Sequence, residues 1–515
     1  MNIRFLSGGI SGVDAYPVEV EVAYLRQGLP AFNMVGLPEA EVRESYGRVS
    51  AAIGACGYRL PPARVTVNLA PASTRKAGSG YDLPLALSLL AGAGFLPMEK
   101  IPEYFFAAEL SLSGQLKPIA GTLPLALLAR QKRAPGLIVA PPNAAEASVV
   151  KGLQVFAPQS LRECVEFLQG SLELDPYPSL DLSDEDLQSH LYHADFSEVK
   201  GQQAAKRALE IAAAGNHNVL LLGPPGSGKT MLAQRLPSIL PPLSFEESLD
   251  VTRIYSVAGF LPPDSGVLRE RPFRAPHHTI SDVAMIGGGR YPKPGEVSLA
   301  HRGVLFLDEL PEYQKSSLEA LRQPLENGTV TVSRAAGSVR YPAACMLVAA
   351  MNPCPCGYLG DPTHVCVCRP DQISRYRQKL SGPLLDRIDL HVEAPAVSYD
   401  ELRHKSPESA QWSSAAMRKR VLAARAIQTD RYKNEDIRYN AELSGSALER
   451  YCVLDEACHQ LLRGAMSRLS LSARAYTRIL RVARTIADLA AAERINESHI
   501  AEAIGLRVLD RQPKS

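Results

Sequence analysis

The stretch "NVLLLGPPGSGKTMLAQRL", residues 218–236, determines the fold class of this chain. A short apolar run is followed by a glycine-rich loop and then by strong helix formers, a pattern typical of a strand, a loop and a helix. The loop, Gly223 to Thr230, matches the pattern G-x-x-x-x-G-K-[ST] in full. Such glycines let backbone N–H groups turn toward phosphate oxygens, and the helix N-terminus adds the positive end of its dipole. The stretch therefore predicts an α/β fold with a nucleotide site.

Each residue of this loop is a candidate nucleotide ligand. Lys229 is expected to reach the β- and γ-phosphates, and the Thr230 hydroxyl is expected to ligate Mg²⁺. The predicted cofactors are therefore ATP and Mg²⁺. The full candidate set is Gly223, Pro224, Pro225, Gly226, Ser227, Gly228, Lys229 and Thr230.

Two later apolar runs end in polar residues. "GVLFLDEL" ends with Asp308 and Glu309, which we expect to hold the Mg²⁺ shell and to polarise the attacking water, respectively. "CMLVAAMN" ends with Asn352, which we expect to orient that water. Alone, each run fits an ordinary strand end or turn. Together with the upstream loop, they predict a site for ATP hydrolysis.

Length and composition predict a multidomain protein. With 515 residues, of which 46% are hydrophobic, the chain can form several packed cores. The formal net charge of +2 neither requires nor excludes a nucleic-acid partner. The uncharged, largely apolar stretch at residues 83–98 contains Pro and Gly and is shorter than the roughly 20 apolar residues of a membrane helix. The first residues lack the secretory-signal pattern. We therefore expect a cytoplasmic protein without a membrane partner.

Sequence patterns divide the chain into four parts. Valines alternate with glutamates from Val18 to Val22, as in a half-buried strand, and helical spacing follows in "EAEVRESYGRVSAAIGA". The segment "ELDPYPSLDLSDEDLQ" is acidic and contains prolines, which is typical of a linker. From about Ala415 onward the pattern is helical. The predicted parts are an α+β domain (1–172), a linker (173–192), an ATPase core (193–400) and a helical C-terminal domain (401–515).

The order of these motifs, continued by "LLDR" and "SARAYTRILR", resembles that of AAA+ ATPases of the magnesium-chelatase/MCM branch. Over essentially the whole chain, the match to the ComM/YifB family is closer. It is carried by "GGISGVDAYPVEVEV", "FNMVGLPEAEVRES", "DFSEVKGQ", "FRAPHHTIS" and "SGPLLDRIDLH". This resemblance implies a P-loop AAA+ core with a helical C-terminal lid, preceded by an α+β Lon-protease-like domain. It also implies an ATP-driven, hexameric DNA branch-migration helicase that acts in homologous recombination and natural transformation.

The resemblance assigns further roles. It makes Asn352 sensor 1, Arg474 sensor 2, and Arg387 an arginine finger that reaches into a neighbouring subunit, so the expected partner is a second copy in a homo-hexamer. The branch inserts a hairpin before sensor 1, and "NGTVTVSRAAGSVRYPAACMLV" fits one. Arg334 and Arg340 on its arms are candidates for phosphate contacts with DNA. They fit solvated surface arginines nearly as well.

Two other functions remain open. A chelatase-type motor that remodels a protein partner would carry the same ATPase motifs. An ATP-dependent protease is disfavoured. The stretch "NLAPASTRKAGSGYDLPLAL" resembles the one that carries the Lon nucleophile, but the serine position aligns with Gly80, beside Ser79, and "PIAGTLPLALLA" lacks the lysine base. Since nucleophilic catalysis requires an activating base, we expect this region to bind DNA or to organise the ring.

Four of the nine cysteines form two pairs in "MNPCPCGYLGDPTHVCVCRP", residues 351–370. Four thiolates match the ligand count of a tetrahedral structural zinc site, although the one-residue spacing is tighter than usual, and His364 could replace one of them. Four reduced thiols are the alternative, whereas disulfides are disfavoured in a reducing compartment. We expect a structural Zn²⁺ rather than a catalytic site. Its candidate ligands are Cys354, Cys356, Cys366 and Cys368.

Overall fold

The computed structural model describes residues 3–26, 29–98, 101–180, 194–262, 265–289, 292–334, 337–361, 364–397, 401, 403, 407–469 and 471–511. The predicted linker therefore lies largely outside the described residues. Within the described ranges, no helix combines the length and apolar character needed to cross a membrane.

The N-terminal part is built on a seven-stranded mixed sheet with the order β3-β4-β2-β1-β5-β8-β9. The predicted alternation is confirmed, because Val18, Val20 and Val22 are buried in the strand that contains them. Two short strands, β6 and β7, pair separately. The strands are β1 (Ile3–Ser11), β2 (Asp14–Leu25), β3 (Ala31–Val35), β4 (Arg64–Ala70), β5 (Phe105–Ala107), β6 (Glu109–Leu110), β7 (Leu116–Lys117), β8 (Gly136–Val139) and β9 (Gln154–Phe156).

Five helices pack with this sheet. The helix predicted from "EAEVRESYGRVSAAIGA" is present, and it buries Val42, Val49 and Ile53 against the sheet core. The helices are α1 (Ala40–Ala55), α2 (Asp82–Ala93), α3 (Thr122–Gln131), α4 (Pro141–Ala147) and α5 (Leu161–Gln169).

The central part is built on a five-stranded sheet with the order β11-β14-β17-β10-β18, in which every neighbouring pair is parallel. The carboxyl ends of all its strands therefore meet at one edge, where α/β proteins place their ligands. Its longer strands are continuous apolar runs that are fully buried, as expected for a sheet covered on both faces. The strands of this part are β10 (Val219–Leu222), β11 (Phe273–Arg274), β12 (Gly287–Gly288), β13 (Lys293–Pro294), β14 (Val304–Leu307), β15 (Thr329–Arg334), β16 (Gly337–Pro342), β17 (Met346–Met351) and β18 (Leu390–Glu393).

The first helix of this part precedes β10, and the other helices lie between its strands. They are α6 (Gln203–Gly215), α7 (Lys229–Arg235), α8 (Phe245–Ala258), α9 (Asp282–Ile286), α10 (Glu296–Leu299), α11 (Lys315–Ala320), α12 (Arg322–Asn327), α13 (Pro370–Gln378) and α14 (Gly382–Leu385). The predicted hairpin before sensor 1 is confirmed, since β15 and β16 pair antiparallel from Thr329 opposite Pro342 to Arg334 opposite Gly337.

The C-terminal part is helical, as predicted. Its longest amphipathic helix buries Ile479, Val482 and Ile486, and these residues join the apolar cluster beneath the five-stranded sheet. The helices are α15 (Ser414–Arg431), α16 (Gly445–Tyr451), α17 (Glu456–Leu469), α18 (Ala473–Leu489) and α19 (Glu497–Gly505). Short 3-10 turns occur at Phe196–Glu198, Leu236–Ile239, Leu310–Glu312, Pro407–Trp412, Asn440–Glu442 and Val508–Arg511.

Candidate nucleotide-binding site

The glycine-rich loop joins β10 to α7 at the carboxyl edge of the five-stranded sheet. Gly226 and Gly228 have φ angles of +75° and +86°, a region that favours glycine. Gly223 is required for a different reason, because a β-carbon there would collide with the carbonyl oxygen of Ala394. A hydrogen bond also holds the loop, because Gln202 Nε2 donates to the Ser227 carbonyl at 2.9 Å. These contacts fix a loop whose backbone curves around the space in front of α7.

Lys229 begins α7 and is almost fully buried. Its Nζ donates to the carbonyl oxygens of Gly223 and Pro224, at 2.7 and 2.9 Å, and to Asn352 Oδ1 at 3.2 Å. Burial lowers the pKa of this ammonium, and the carboxylates of Asp308 and Glu309 oppose that effect. The predicted loop lysine and the predicted sensor asparagine are therefore in direct contact.

The predicted magnesium ligands also meet. Thr230 Oγ1 donates to Asp308 Oδ2 at 2.6 Å, and the other carboxylate oxygen of Asp308 accepts from the backbone N–H of Glu309 at 2.9 Å. A hydroxyl and a carboxylate at the mouth of a phosphate loop are the oxygen ligands that Mg²⁺ takes alongside nucleotide phosphates. The residues present therefore fit a Mg–ATP complex.

Glu309 follows β14 in a left-handed backbone conformation, with φ of 52°, which is uncommon outside glycine and clusters at functional sites. Its Oε2 lies 3.4 Å from His278 Nδ1. No catalytic motif in the sequence indicates a role for His278, and the paired histidines in "FRAPHHTIS" are the only local signal for it. The Tyr313 ring contacts the His278 ring, and burial together with the charges of Asp308 and Glu309 raises the pKa of the Tyr313 hydroxyl.

The two predicted arginines lie away from this pocket. The Arg387 carbonyl accepts a hydrogen bond from Asn218 Nδ2 at 2.8 Å, and Asn218 immediately precedes β10. Arg474 Nη1 is 2.9 Å from Asp386 Oδ2, so both arginines line one cleft. The phosphate loop follows β10, whose four residues span about 13 Å at roughly 3.3 Å per residue. Arg387 and Arg474 are therefore at the amino edge of the sheet, and Lys229 is at the carboxyl edge.

The Arg387 guanidinium is engaged within the chain. It donates to the carbonyl oxygens of Arg322 and Pro383 at 3.1 and 2.7 Å and forms an ion pair with Glu326. Glu326 is exposed, so this pair lies at the surface.

The candidate DNA-contact residues lie on the two arms of the hairpin. Arg340 is exposed and pairs with Thr331 across the ladder. Arg334 is the last residue of β15, opposite Gly337, and its side chain lies outside the described residues.

The four cysteines converge, and we call residues 354–368 the cysteine loop. Cys354 Sγ is 3.4 Å from Cys356 Sγ and 3.6 Å from Cys366 Sγ, and all four sulfurs lie within 4.8 Å of one another. A disulfide needs about 2.05 Å, whereas a zinc tetrahedron with bonds of about 2.3 Å has S···S edges near 3.8 Å. The backbone N–H of Cys356 also donates to Cys368 Sγ at 3.3 Å. The cluster therefore fits a tetrahedral metal ion, and His364 stacks on Tyr358 outside it.

The region that resembles the Lon nucleophile stretch uses its polar residues in local contacts. Ser79 Oγ donates to a carboxylate oxygen of Glu109. Lys76, the lysine of that stretch, is buried, and its Nζ donates to the carbonyls of Pro71 and Thr74.

Three family descriptions match successive parts of the chain. "Subunit ChlI of Mg-chelatase" matches residues 18–143, "Magnesium chelatase, subunit ChlI" matches residues 195–402, and "Magnesium chelatase, subunit ChlI C-terminal" matches residues 411–507. The match therefore includes the phosphate loop, the acidic pair, the hairpin and the C-terminal helices.

Individual proteins are similar along almost the full length. The YifB protein of Salmonella typhimurium is 44% identical over 504 residues, covering 97% of this chain and 96% of the relative. The competence protein ComM of Haemophilus influenzae is 44% identical over 503 residues, with the same coverage of each chain. The magnesium-chelatase 38 kDa subunit of Cereibacter sphaeroides is 23% identical over 325 residues, covering 59% of this chain and 88% of the relative.

Proposed function

Since the chain belongs to the ComM/YifB family, within the magnesium-chelatase ChlI group of AAA+ proteins, we propose that it is an ATP-driven motor that moves DNA strands. The observation that carries the ATP-hydrolysing part of this proposal is the convergence at one sheet edge of Lys229 with Asn352 and of Thr230 with Asp308. These are the groups that bind phosphate, Mg²⁺ and an attacking water in ATP hydrolysis.

Each side chain has a defined task in this proposal. The Lys229 ammonium exchanges its carbonyl partners for the β- and γ-phosphates of ATP. Thr230 and Asp308 would hold Mg²⁺, which neutralises charge on the transferring phosphate when it is bound. Glu309 accepts a hydrogen bond from the attacking water, and the neighbouring His278 ring orients the Glu309 carboxylate. Asn352 accepts a hydrogen bond from Lys229 and orients the attacking water.

A ring of identical subunits completes the site. Arg387 and Arg474 lie at the sheet edge opposite Lys229, so they serve a neighbour's nucleotide rather than their own. A contact that joins the carboxyl edge of one subunit to the amino edge of the next is heterologous, and such a contact forms a ring when its repeated rotation closes. The family resemblance favours six subunits. In the ring, Arg387 leaves Glu326 for the γ-phosphate of the neighbour, where a guanidinium stabilises the charge that develops during transfer.

DNA is the proposed substrate of the motor. The β15–β16 hairpin presents Arg340 to solvent, and a basic hairpin can hold a phosphate backbone without reading its sequence. The relative from Haemophilus influenzae is named a competence protein, which supports branch migration during recombination of incoming DNA. We assign residues 193–400 to the motor, 401–515 to its lid, 173–192 to a linker, and 1–172 to a Lon-like, non-proteolytic domain.

A structural Zn²⁺ in the cysteine loop is part of the same proposal. The S···S distances of 3.4 to 3.6 Å among Cys354, Cys356 and Cys366, with Cys368 Sγ within 4.8 Å of them, support four-thiolate coordination, and the sulfurs lie outside the group of residues that face the nucleotide. Zinc would therefore order the loop and take no part in hydrolysis.

The deciding experiment measures ATP hydrolysis with and without branched DNA, together with displacement of a labelled strand. We expect branched DNA to stimulate hydrolysis and the strand to be displaced only when ATP is present. Lys229→Ala is the matched control, because it removes phosphate binding while leaving the exposed hairpin intact. Strand displacement by that variant would show that the motor assignment is wrong.

A second candidate is a chelatase-type motor that remodels a protein partner. The similarity to the magnesium-chelatase 38 kDa subunit, which extends over 59% of this chain, favours it. ATP hydrolysis that is insensitive to DNA, with no displaced strand, would select this alternative.

A further inference from the structure

The cysteine loop touches both the phosphate loop and the predicted sensor. From these contacts we propose that the metal-bound cysteine loop clamps the nucleotide pocket, so that metal occupancy sets the affinity for ATP. This inference rests on the proposed nucleotide site, and it adds a positioning role for a metal that does not touch the nucleotide.

The first contact joins Gly357 to the phosphate loop. Gly357 follows the ligand Cys356, and a β-carbon built on it would lie 2.5 Å from Pro225 Cδ and 2.8 Å from Pro225 Cγ. The bare glycine backbone therefore packs directly on the proline ring. Its φ of +88° and the hydrogen bond from its N–H to the Cys354 carbonyl, at 3.0 Å, fix the turn that makes this approach. Pro225 in turn immediately precedes Gly226, where the loop begins to curve.

The second contact joins both ends of the cysteine loop to the end of β17, which leads to Asn352. Asn352 and Pro353 lead from β17 into Cys354, so the first cysteine pair is joined to the sensor by a single residue. After the second pair the chain enters α13, and Arg377 of that helix donates to the Pro353 carbonyl at 3.3 Å. Both ends of the loop are therefore anchored beside Asn352, whose side chain contacts Lys229.

The loop has little apolar packing of its own to hold this shape. In the segment that carries the second pair, the cysteines point inward and the valines outward, and Val365 and Val367 are 89% and 82% exposed. The first pair includes the fully buried Cys354. A segment that turns its apolar side chains to solvent is ordered by its metal ligands, as in other small metal-held motifs.

Loss of the metal therefore has a defined consequence. Without the metal, the two cysteine pairs keep only weak contacts such as the hydrogen bond from the Cys356 N–H to Cys368 Sγ, so the turn at Gly357 is held less firmly against Pro225. The N–H groups of the phosphate loop then lose a fixed support on one side. Because a phosphate-binding loop that must order itself on binding has lower affinity than a preformed one, the dissociation constant for ATP rises.

The test uses the full chain and two measurements, zinc content by atomic spectroscopy and affinity for a fluorescent ATP analogue with Mg²⁺. Cys366→Ser should lose zinc and bind ATP about tenfold or more weakly, since about 1.4 kcal/mol of lost loop order corresponds to that factor. Gly357→Ala should keep zinc but weaken ATP binding, because its methyl group pushes on Pro225. Val367→Ser, an exposed position on the same segment, should change neither quantity.

Several results would overturn the proposal. One is a wild-type chain that contains no metal, and another is a folded Cys366→Ser variant that has no zinc but binds ATP normally. If that variant does not fold, Gly357→Ala provides the test. A Gly357→Ala variant that retains zinc and binds ATP with unchanged affinity would refute the proposed effect of the cysteine loop on ATP binding. Failure of the wild-type chain to bind ATP at all would instead refute the proposed nucleotide site, so the two failures are distinguishable.

Discussion

The shared site can be tested by replacing Arg387 and Lys229 in separate chains and then mixing them. Lys229→Ala removes the ammonium that contacts Asn352 and that we propose binds the β- and γ-phosphates. This variant should therefore neither bind nor hydrolyse ATP. Arg387→Ala should still bind ATP, because Arg387 lies at the opposite edge of the sheet. It should lose about a thousandfold or more in turnover, the range for removal of an arginine finger.

The contacts of Arg387 indicate that Arg387→Ala loses catalytic rate without unfolding. Within its own chain, the Arg387 guanidinium donates to two carbonyl oxygens, those of Arg322 and Pro383. Two such hydrogen bonds contribute about 2 kcal/mol to the free energy of unfolding, and the surface ion pair with Glu326 adds little. A thousandfold loss of rate corresponds to about 4 kcal/mol in the activation barrier. The variant should therefore remain folded, with a melting temperature a few degrees lower.

The mixture gives the decisive measurement. Arg387→Ala supplies an intact phosphate loop, and Lys229→Ala supplies an intact arginine. In rings that mix at random from equal amounts, roughly one interface in four combines both intact halves, because the contact is heterologous. Hydrolysis should therefore return to about a quarter of the wild-type rate, although each variant alone is inactive. If native mass spectrometry shows mixed rings and no hydrolysis returns, or if Arg387→Ala alone is fully active, the shared site is refuted.

Two further predictions concern single residues. Glu309→Gln should bind ATP with wild-type affinity but not turn it over, because the amide cannot accept the proton of water; normal hydrolysis by this variant would exclude Glu309 as the activating group. Burial, with Arg302 nearby, lowers the pKa of His301 to about 3, and its Nδ1 accepts a hydrogen bond from the Ala344 N–H at 3.0 Å. Between about pH 6.5 and pH 3 the unfolded chain therefore binds a proton that the folded chain does not, so stability falls as the pH decreases. His301→Asn keeps an acceptor without titrating, and its urea midpoint should change less between pH 7 and pH 5 than that of the wild-type chain; an equal change would contradict the assignment.

Features set by neighbouring residues were predictable from the sequence. The phosphate loop is a continuous motif, and the sequence alone indicates both its strand and its helix. The hairpin was expected from the family resemblance, and the two arms "TVTVSR" and "GSVRY" fit the pairing that the structure has. Asp308 and Asn352 were predictable because parallel strands bring their carboxyl ends to one edge.

Contacts between distant segments were not predictable in the same way. No local pattern shows that His278 lies beside Glu309, or that Gln202 supports the phosphate loop from 25 positions upstream. The packing of Gly357 on Pro225 depends on two loops that meet only after the sheet has formed. Each of these contacts is set by tertiary packing, for which a single sequence carries no periodic signal.

The hairpin connects the two regions that the family resemblance separates. A β-carbon on Gly12, in the turn between β1 and β2, would lie 2.9 Å from Val339 Cγ1 on the hairpin, and the adjacent Val13 is buried in the same apolar cluster. On its other side the hairpin runs through β17 to Asn352, six buried residues that span about 20 Å of rigid strand. The hairpin is therefore in contact with the N-terminal sheet at one end and is continuous with the strand that leads to the nucleotide pocket at the other. Because packed strands do not stretch, DNA held by the hairpin of the proposed motor would act through β17 on the residue that contacts Lys229.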